Sequence, residues 1–329
     1  RDVLGSRGLG DVYKRQDIVP CIRCLQCYHV STDHKNVQCS VNPRFNREKR
    51  VPLILPVTGH PKHLVIVGGG PAGITCALTA SRRGHQVTLL EKEPVLTGKL
   101  NIACHGEHKA DLRRFRDYLL TQLRKSSVTV HTGVLADTDV VRDLKPDALV
   151  IAVGATPSRI PLPGVDGDNC IQISEFLQSP DTSLQHYIII GGGSVGCETA
   201  LDLAEKGKDV SIIEMADCLA SASNDLYRLA LSEHFARYDN LHTYLNSACQ
   251  SIDADGVNVL TNGASTHISG DKVLLSLGFR PDAKQVSSLY GIVPDTYYVG
   301  DCERVATVAE AVNNAYFIGA NVFQEQDII

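Results

Sequence analysis

The sequence predicts an α/β protein in which two parallel-sheet domains follow a cysteine-rich segment, the second domain being inserted in the first. Three observations lead to this fold class. Residues 63–91 read as strand, glycine turn, helix, strand and acid, and residues 187–214 repeat that order. Four cysteines also lie between residues 21 and 39, before the first repeat.

Composition and charge narrow the class of protein. A chain of 329 residues with 43% hydrophobic and 21% charged residues is typical of a globular protein of two domains. A net charge of −5 and the lack of a long apolar run predict neither a nucleic-acid partner nor a membrane segment. Eleven cysteines without a secretory signal favour a reducing, cytoplasmic setting. Residues 1–16 show neither periodicity nor a motif, so we expect a non-native leader there.

The cysteine-rich segment, expected at residues 17–60, predicts a metal centre. Cys21, Cys24, Cys27 and Cys39 are spaced C-x2-C-x2-C-x11-C. Three thiolates on one tight loop and a fourth from a later turn are typical of a [4Fe–4S] cluster. Zinc is the competing interpretation, although structural zinc sites usually use two separated C-x-x-C pairs. A proline-containing linker then leads to the first strand.

The first repeat predicts a Rossmann-like dinucleotide site. A buried strand at 64–67 precedes Gly68, Gly70 and Gly73, which are spaced G-x-G-x-x-G, and a helix at 71–83 follows. The first glycine allows the tight turn, the second lets a pyrophosphate approach the backbone, and the third lets helix and strand pack closely.

The acid that ends the second strand completes this site. Glu91 follows Gly73 by 18 residues, where a carboxylate accepts hydrogen bonds from a ribose, and Lys92 comes next. Pro71 and Ala72 open the helix, whose N-terminal N–H groups favour the pyrophosphate.

Three later positions are also expected to line the first cofactor. Gly98 lies in the irregular loop after Glu91, and Gly154 lies at the exit of a buried strand. Asp301 follows another strand, where it can hold a polyol chain, although a simple helix cap is the alternative. If the chain returns here, the first domain occupies residues 61–160 and 289–329, and the second occupies 161–288.

The second repeat carries Gly191, Gly193 and Gly196, with Glu214 at the end of its second strand. Glu214 accepts bonds from a ribose 2′-hydroxyl and repels a 2′-phosphate, and no arginine occurs in the next dozen residues. The sequence therefore predicts NADH over NADPH. Two dinucleotide sites in one chain indicate that one cofactor passes electrons to the other.

The remaining periodicity predicts further regular elements. Three helices are expected at 111–125, 224–238 and 306–322, and seven strands at 128–131, 147–153, 241–245, 248–252, 257–260, 271–277 and 296–299.

These features resemble the flavoproteins with two dinucleotide sites, such as glutathione reductase and thioredoxin reductase, without their redox cysteine pair. With the cysteine set and the following Val41-Asn42-Pro43, the chain resembles the C-terminal part of the NADH:flavin oxidoreductase family. That family includes 2,4-dienoyl-CoA reductase, 2-enoate reductase and trimethylamine dehydrogenase. The resemblance implies FAD at the first site, NAD(P)H at the second, a cluster at the four cysteines, and FMN in an N-terminal barrel. No barrel precedes Cys21, so we expect a fragment or a separate electron-transfer subunit.

The resemblance implies that NADH delivers electrons through FAD and the cluster to FMN in a barrel domain or subunit. We name no general base, because cofactors carry this chemistry. Alternatives are a protein like the small subunit of glutamate synthase, a ferredoxin:NAD(P)H oxidoreductase, and a non-catalytic scaffold that binds ADP. Trimethylamine dehydrogenase holds ADP in the equivalent of the FAD site, so ADP is open here too, as is a homo-oligomeric state.

Overall fold

A computed structural model of the chain describes residues 15–32 and 35–323, which form two compact units. The second unit spans Pro157–Phe279, and the first comprises the described residues on either side of it. Both limits lie earlier in the chain than the expected 161–288. The reason for the later limit is that the short helix Ala283–Leu289 packs into the core of the first unit through Val286 and Leu289. Residues 1–14 of the expected leader lie outside the described residues.

Regular elements are bounded as follows in these residues. The strands are β1 (His63–Val67), β2 (Gln86–Glu91), β3 (Thr129–Thr132), β4 (Ala148–Ile151), β5 (Ala155–Pro157), β6 (Cys170–Gln172), β7 (His186–Ile190), β8 (Asp209–Ile213), β9 (Leu241–Tyr244), β10 (Ser247–Asp253), β11 (Gly256–Thr261), β12 (Ala264–Ser269), β13 (Lys272–Leu275), β14 (Phe279–Pro281) and β15 (Thr296–Tyr298). The helices are α1 (Gln26–Thr32), α2 (Pro71–Arg82), α3 (Leu100–Ala103), α4 (Ala110–Lys125), α5 (Thr138–Asp143), α6 (Ile173–Gln178), α7 (Ser194–Glu205), α8 (Asp225–Phe235), α9 (Ala283–Leu289) and α10 (Val308–Asn321). None of these helices is both long and apolar enough to cross a bilayer.

The first unit is a five-stranded parallel sheet in the order β15-β4-β1-β2-β3, with helices on both faces. Leu64 and Ile66 of β1 pack into a core with α2, α4 and α10, while Val65 and Val67 pack into a second core with α5 and α9. Because both faces of the sheet are covered at its centre, β4 and most of β1 are continuous apolar runs. This order places the carboxyl ends of β1 and β4 side by side, where ligands of such sheets bind.

The second unit repeats the parallel sheet in the order β6-β13-β7-β8-β9. On one face Tyr187 and Ile189 pack against α7 and α8. On the other face Ile188 and Ile190 pack against an antiparallel sheet of β10, β11 and β12. The expected α/β fold with two related parallel-sheet units is therefore confirmed.

The predicted elements are present, with ends that differ by a few residues from the sequence-based bounds. The sequence missed β12 because this strand, Ala-Ser-Thr-His-Ile-Ser, is mostly polar and buries only Ile268, so it shows no apolar alternation. It also missed short helices such as α5, α6 and α9, which offer fewer than two full turns in which a period could show.

Helices α2 and α10 cross closely, and Gly319 allows that approach. A Cβ on Gly319 would lie 2.6 Å from the Cys76 carbonyl oxygen and 3.0 Å from the Thr79 Cβ. We expect Gly319→Ala to lower the free energy of unfolding by about 1–3 kcal/mol, because the helices must separate. Urea titration checks this, with Gly59→Ala as the control, since a Cβ there would meet no atom within 4 Å. Equal midpoints for the two variants would contradict the expectation.

Candidate functional site

The first glycine turn combines tight packing with one open position. The chain enters it at Gly68 with φ +112°, and a Cβ there would lie 2.2 Å from the Ala152 carbonyl oxygen. A Cβ on Gly73 would lie 1.9 Å from the Gly68 carbonyl oxygen, so packing alone requires these two glycines. A Cβ on Gly70 would meet no atom within 4 Å. Helix α2 begins directly afterwards at Pro71 without a side-chain cap, so its first N–H groups are available to an anion.

Glu91 is a buried carboxylate held against this turn. Its Oε2 accepts a hydrogen bond of 2.6 Å from the Gly69 N–H, and its Oε1 accepts one of 2.9 Å from the Glu93 N–H. Each carboxylate oxygen has a second acceptor position, which suits the hydroxyls of a ribose. Lys92, the next residue, has an exposed side chain.

The loop after Glu91 folds back over the glycine turn. The Thr97 N–H donates to the Gly69 carbonyl oxygen at 2.7 Å. The Leu96 side chain fills the space beside Gly69, where a Cβ would lie 2.5 Å from its Cδ2. A Cβ on Gly98 would lie 3.6 Å from the Gly70 Cα. Two positions that the sequence singled out separately, Gly70 and Gly98, are thus neighbours.

Asp301 lies at the same edge of the sheet. Gly300 places it there, since a Cβ on Gly300 would lie 3.0 Å from the Ala72 Cβ at the start of α2. The Asp301 carboxylate pairs with the Lys99 ammonium at 2.5 Å and accepts from the Ala306 N–H at 3.2 Å. A cavity of about 240 Å³ opens beside it. Sequence reasoning missed Lys99, whose only signal is its position next to Gly98.

The second turn has the same geometry as the first. Gly191 has φ +106°, and its Cβ would lie 2.3 Å from the Ser276 carbonyl oxygen. A Cβ on Gly196 would lie 2.3 Å from the Gly191 carbonyl oxygen, whereas one on Gly193 would meet no atom within 4 Å. In both turns, therefore, the first and third glycines of the motif are tightly packed, and the second glycine faces open space.

The second acid is also held in the same way. The Glu214 carboxylate accepts a hydrogen bond of 2.6 Å from the Gly192 N–H and one of 2.8 Å from the Ala216 N–H. The Ala220 N–H donates to the Gly192 carbonyl oxygen at 2.8 Å, and Leu219 fills the space beside that glycine. Leucine follows the acid by five residues in both repeats, a signal that sequence reasoning overlooked.

A further pair of glycines repeats at the strand exits. Gly154 after β4 and Gly278 after β13 both have φ +74°, and a Cβ on either would meet no atom within 4 Å. The sequence singled out only Gly154. The duplication gives Gly278 the same place in the second unit.

One polar contact in the second unit had no sequence signal. The Tyr227 hydroxyl donates to the Glu198 carboxylate at 3.0 Å, which ties α8 to the first turns of α7. Burial, followed by the nearby Glu198 charge, raises the pKa of Tyr227. The hydroxyl therefore stays protonated and keeps donating at neutral pH.

The four cysteines lie close together in the chain, within residues 21–39, and none of them is fully buried. Cys21, Cys24 and Cys27 are exposed and Cys39 is half-buried. The Cys24 Sγ lies 3.1 Å from the Ser40 Oγ, so the first cysteine loop lies beside the turn that carries Cys39. Within residues 15–32 and 35–323, no three His, Cys, Asp or Glu side chains are grouped as metal ligands. Four soft thiol donors on adjacent segments fit iron or zinc, and the ligand set stays a prediction.

A buried carboxylate anchors the first cysteine loop. Asp111 at the start of α4 pairs with Arg23, which lies between two of the cysteines, and with Arg114. Arg23 has φ +50°, a left-handed conformation that is unfavourable for a residue with a side chain. The ion pair with Asp111 helps to stabilise this conformation.

Comparison with known proteins gives consistent matches over most of the chain. A family model described as pyridine nucleotide-disulphide oxidoreductase matches residues 62–315. The chain is 32% identical over 319 residues to an NADH oxidase of Thermoanaerobacter brockii, covering 92% of this chain and 48% of that protein. It is 32% identical over 304 residues to a bilirubin reductase of Mediterraneibacter gnavus, covering 91% of this chain and 47% of that protein.

A solved structure supports the same relation. A 2-naphthoyl-CoA reductase in complex with 2-naphthoyl-CoA superposes with a TM-score of 0.88 at 28% identity. The alignment covers 95% of this chain and 48% of that one. The chain spans about half the length of the curated relatives named here.

Proposed function

The chain belongs to the pyridine nucleotide-disulphide oxidoreductase family, and from this premise we propose that it is the NADH-oxidising, electron-input part of a larger flavoenzyme. The family and its relatives make it an NAD(P)H-dependent flavin oxidoreductase related to enoate and CoA reductases. The proposed binding residues are Gly68, Gly70, Pro71, Ala72, Gly73, Glu91, Lys92, Gly98, Gly154 and Asp301 for FAD, Gly191, Gly193, Gly196 and Glu214 for NADH, and Cys21, Cys24, Cys27 and Cys39 for a [4Fe–4S] cluster.

The observation that carries this proposal is the duplicated turn. In each unit a buried or half-buried glutamate accepts a hydrogen bond of 2.6 Å from the glycine between the first two motif glycines, Gly69 or Gly192. A leucine side chain packs over that same glycine. In each unit the second glycine of the motif faces open space. A purely structural turn would not need an uncapped helix, a held carboxylate and an open glycine at the same place twice.

The chain's own residues bind and orient in this proposal. Glu91 and Glu214 accept from ribose hydroxyls, and the open backbone at Gly70 and Gly193 admits the pyrophosphates. Asp301 accepts from a polyol, and Lys99 balances its charge. When bound, a flavin exchanges electrons with NADH in pairs and with an iron–sulfur centre singly, which is the chemistry that three such sites require.

Two buried thiols in the core of the first unit, Cys76 and Cys104, are poorly suited to thiol chemistry. Burial raises the pKa of the Cys76 thiol to about 12 and also raises the pKa of Cys104. A thiol attacks as its thiolate, so both are poor nucleophiles at neutral pH. We propose that the electrons instead leave through a cluster held by Cys21, Cys24, Cys27 and Cys39 toward FMN in a barrel domain outside this chain.

The test uses the full chain, reconstituted without oxygen with FAD, ferrous iron and sulfide. We expect one flavin and about four iron atoms per chain, and we expect NADH to bleach the flavin absorption. Cys24→Ala should lose iron but keep the bleaching by NADH, because the flavin site lies elsewhere in the first unit. Thr88→Val, a buried change away from both sites, is the matched control.

Each other outcome removes a defined part of the proposal. A chain that retains ADP but no flavin is a scaffold, and flavin that NADH does not bleach excludes electron input. Stoichiometric zinc in place of iron removes the cluster. Iron for two clusters favours a relative of the glutamate-synthase small subunit.

A further inference from the structure

We propose that Asn313 and Arg47 are positioning residues that hold Cys39 in place before the other three cysteines close on a metal centre. This inference rests on the proposed cysteine site. It goes beyond that site because the two residues are neither ligands nor part of the cysteine motif. Asn313 lies on α10, 274 residues after Cys39.

The Asn313 side chain is buried, and both its amide nitrogen and its amide oxygen have hydrogen-bond partners. Its Nδ2 donates to the Cys39 carbonyl oxygen at 3.0 Å and to the Ala309 carbonyl oxygen at 2.9 Å. Its Oδ1 accepts from the Arg47 Nη1 at 3.0 Å. A buried amide with both ends paired has one favoured orientation, and here that orientation fixes the Cys39 backbone.

Arg47 binds the same turn from the other side. Its Nη1 also donates to the Pro43 carbonyl oxygen at 3.2 Å, and its Nη2 donates to the Gln38 Oε1 at 3.4 Å. Its guanidinium carbon lies 5.2 Å from the centre of the Phe317 ring, one turn along α10 from Asn313. One side chain therefore links residues on both sides of Cys39 to the helix.

The rest of the turn is packed on the first unit. Val41 is buried in the main core, and Cys39 itself packs against that core. Ser40 is buried, with its Oγ next to the Cys24 Sγ. By contrast, Cys21, Cys24 and Cys27 are exposed. The fourth ligand is thus held against the folded domain, while the thiols of the first three are exposed, that of Cys27 on α1.

This asymmetry assigns an order to ligand binding. A ligand already held in place loses little conformational entropy when a metal binds, and groups that orient a ligand contribute to metal affinity. Asn313 orients Cys39 through its backbone, so Cys39 is already held when a metal binds, whereas the exposed side chains of Cys21, Cys24 and Cys27 have room to turn toward it.

The first test needs no metal. In the iron-free full chain, we measure the rate at which iodoacetamide alkylates each cysteine, by mass spectrometry of peptides. We expect Asn313→Leu to speed the alkylation of Cys39 about tenfold, because local opening becomes easier, and to leave Cys27 unchanged. Asn313→Asp keeps the acceptor for Arg47 but replaces the donor to the Cys39 carbonyl oxygen with a carboxylate oxygen, which cannot donate. It should therefore also speed the alkylation of Cys39. Thr88→Val, which removes a buried hydroxyl contact to His63, should change neither rate.

The second test measures metal binding after reconstitution with ferrous iron and sulfide. We expect both Asn313 variants to release iron to a chelator about 10- to 100-fold faster than the original chain, as for lost ligand-orienting contacts. Flavin content should stay equal to that of the original chain.

The outcomes separate this inference from the proposed function. If the original chain binds no iron but Cys39 is alkylated faster in the variants, the iron–sulfur assignment is wrong and the role of Asn313 in holding Cys39 stands. If the original chain binds iron and the variants match it in both rates, the positioning role is wrong. If Asn313→Leu does not fold, Asn313→Asp decides, and an unchanged Cys39 rate in that variant overturns the inference.

Discussion

Gly73→Ala is expected to destabilise the first unit, while Gly70→Ala is expected to leave its stability unchanged and weaken FAD binding. A Cβ on Gly73 would lie 1.9 Å from the Gly68 carbonyl oxygen, so strand and helix must move apart, at a cost of about 3 kcal/mol or more. A Cβ on Gly70 would meet no atom of the protein within 4 Å. It would occupy space that a pyrophosphate needs, and we expect the FAD dissociation constant to rise about 10- to 100-fold.

Two measurements separate these effects. Thermal melts of the flavin-free chain report stability, and quenching of flavin fluorescence during titration reports affinity. Gly193→Ala is the matched control, because a Cβ on this glycine of the second unit would also meet no atom within 4 Å. This variant should weaken the binding of NADH and leave the binding of FAD unchanged. If Gly70→Ala lowers the melting temperature as much as Gly73→Ala, or binds FAD normally, Gly70 does not face the cofactor.

Glu214 is expected to make the chain select NADH over NADPH. Its two oxygens are fixed by the Gly192 and Ala216 N–H groups, so the charge cannot swing away from a 2′-phosphate. Glu214→Ala should lower kcat/KM for NADH about 10- to 100-fold, since hydrogen bonds to charged groups contribute about 1.5–3 kcal/mol. The loss for NADPH should be smaller, because a repulsive charge is also removed.

Steady-state rates of flavin reduction with each nucleotide measure this selection. Asp202→Ala is a suitable control, since that carboxylate pairs with Lys206 on the surface of the same unit. Equal kcat/KM for NADH and NADPH in the original chain would refute the assignment. An unchanged ratio in Glu214→Ala would do the same.

Much of the fold follows from patterns that span about thirty residues. The glycine spacing at 68–73 and 191–196 and the apolar strands around it predict two parallel-sheet units, and both are present. Each glycine has a local reason, because turn, helix and strand lie next to one another along the chain. The same locality made two acids recognisable, Glu91 at the end of β2 and Glu214 directly after β8.

Other features of the site were visible only in part. The leucine five residues after each acid is a repeated signal in the sequence. Its contact with Gly69 or Gly192 forms only because the loop that carries it folds back over the glycine turn. Tyr227 carries no motif, and its contact with Glu198 depends on how α8 packs against α7. Strand β12 has one buried side chain, so only its partner β11 defines it.

By itself the sequence determined the two glycine turns, their acids, the cysteine spacing and the order of strands and helices around them, because short-range sterics and periodicity specify these. The tertiary structure decided which distant residues complete the sites. Lys99 meets Asp301 across 202 residues, and Asn313 meets Cys39 across 274. Both contacts exist because the chain returns to the first sheet through β15 and lays α10 against α2, a packing that depends on the shapes of many side chains together.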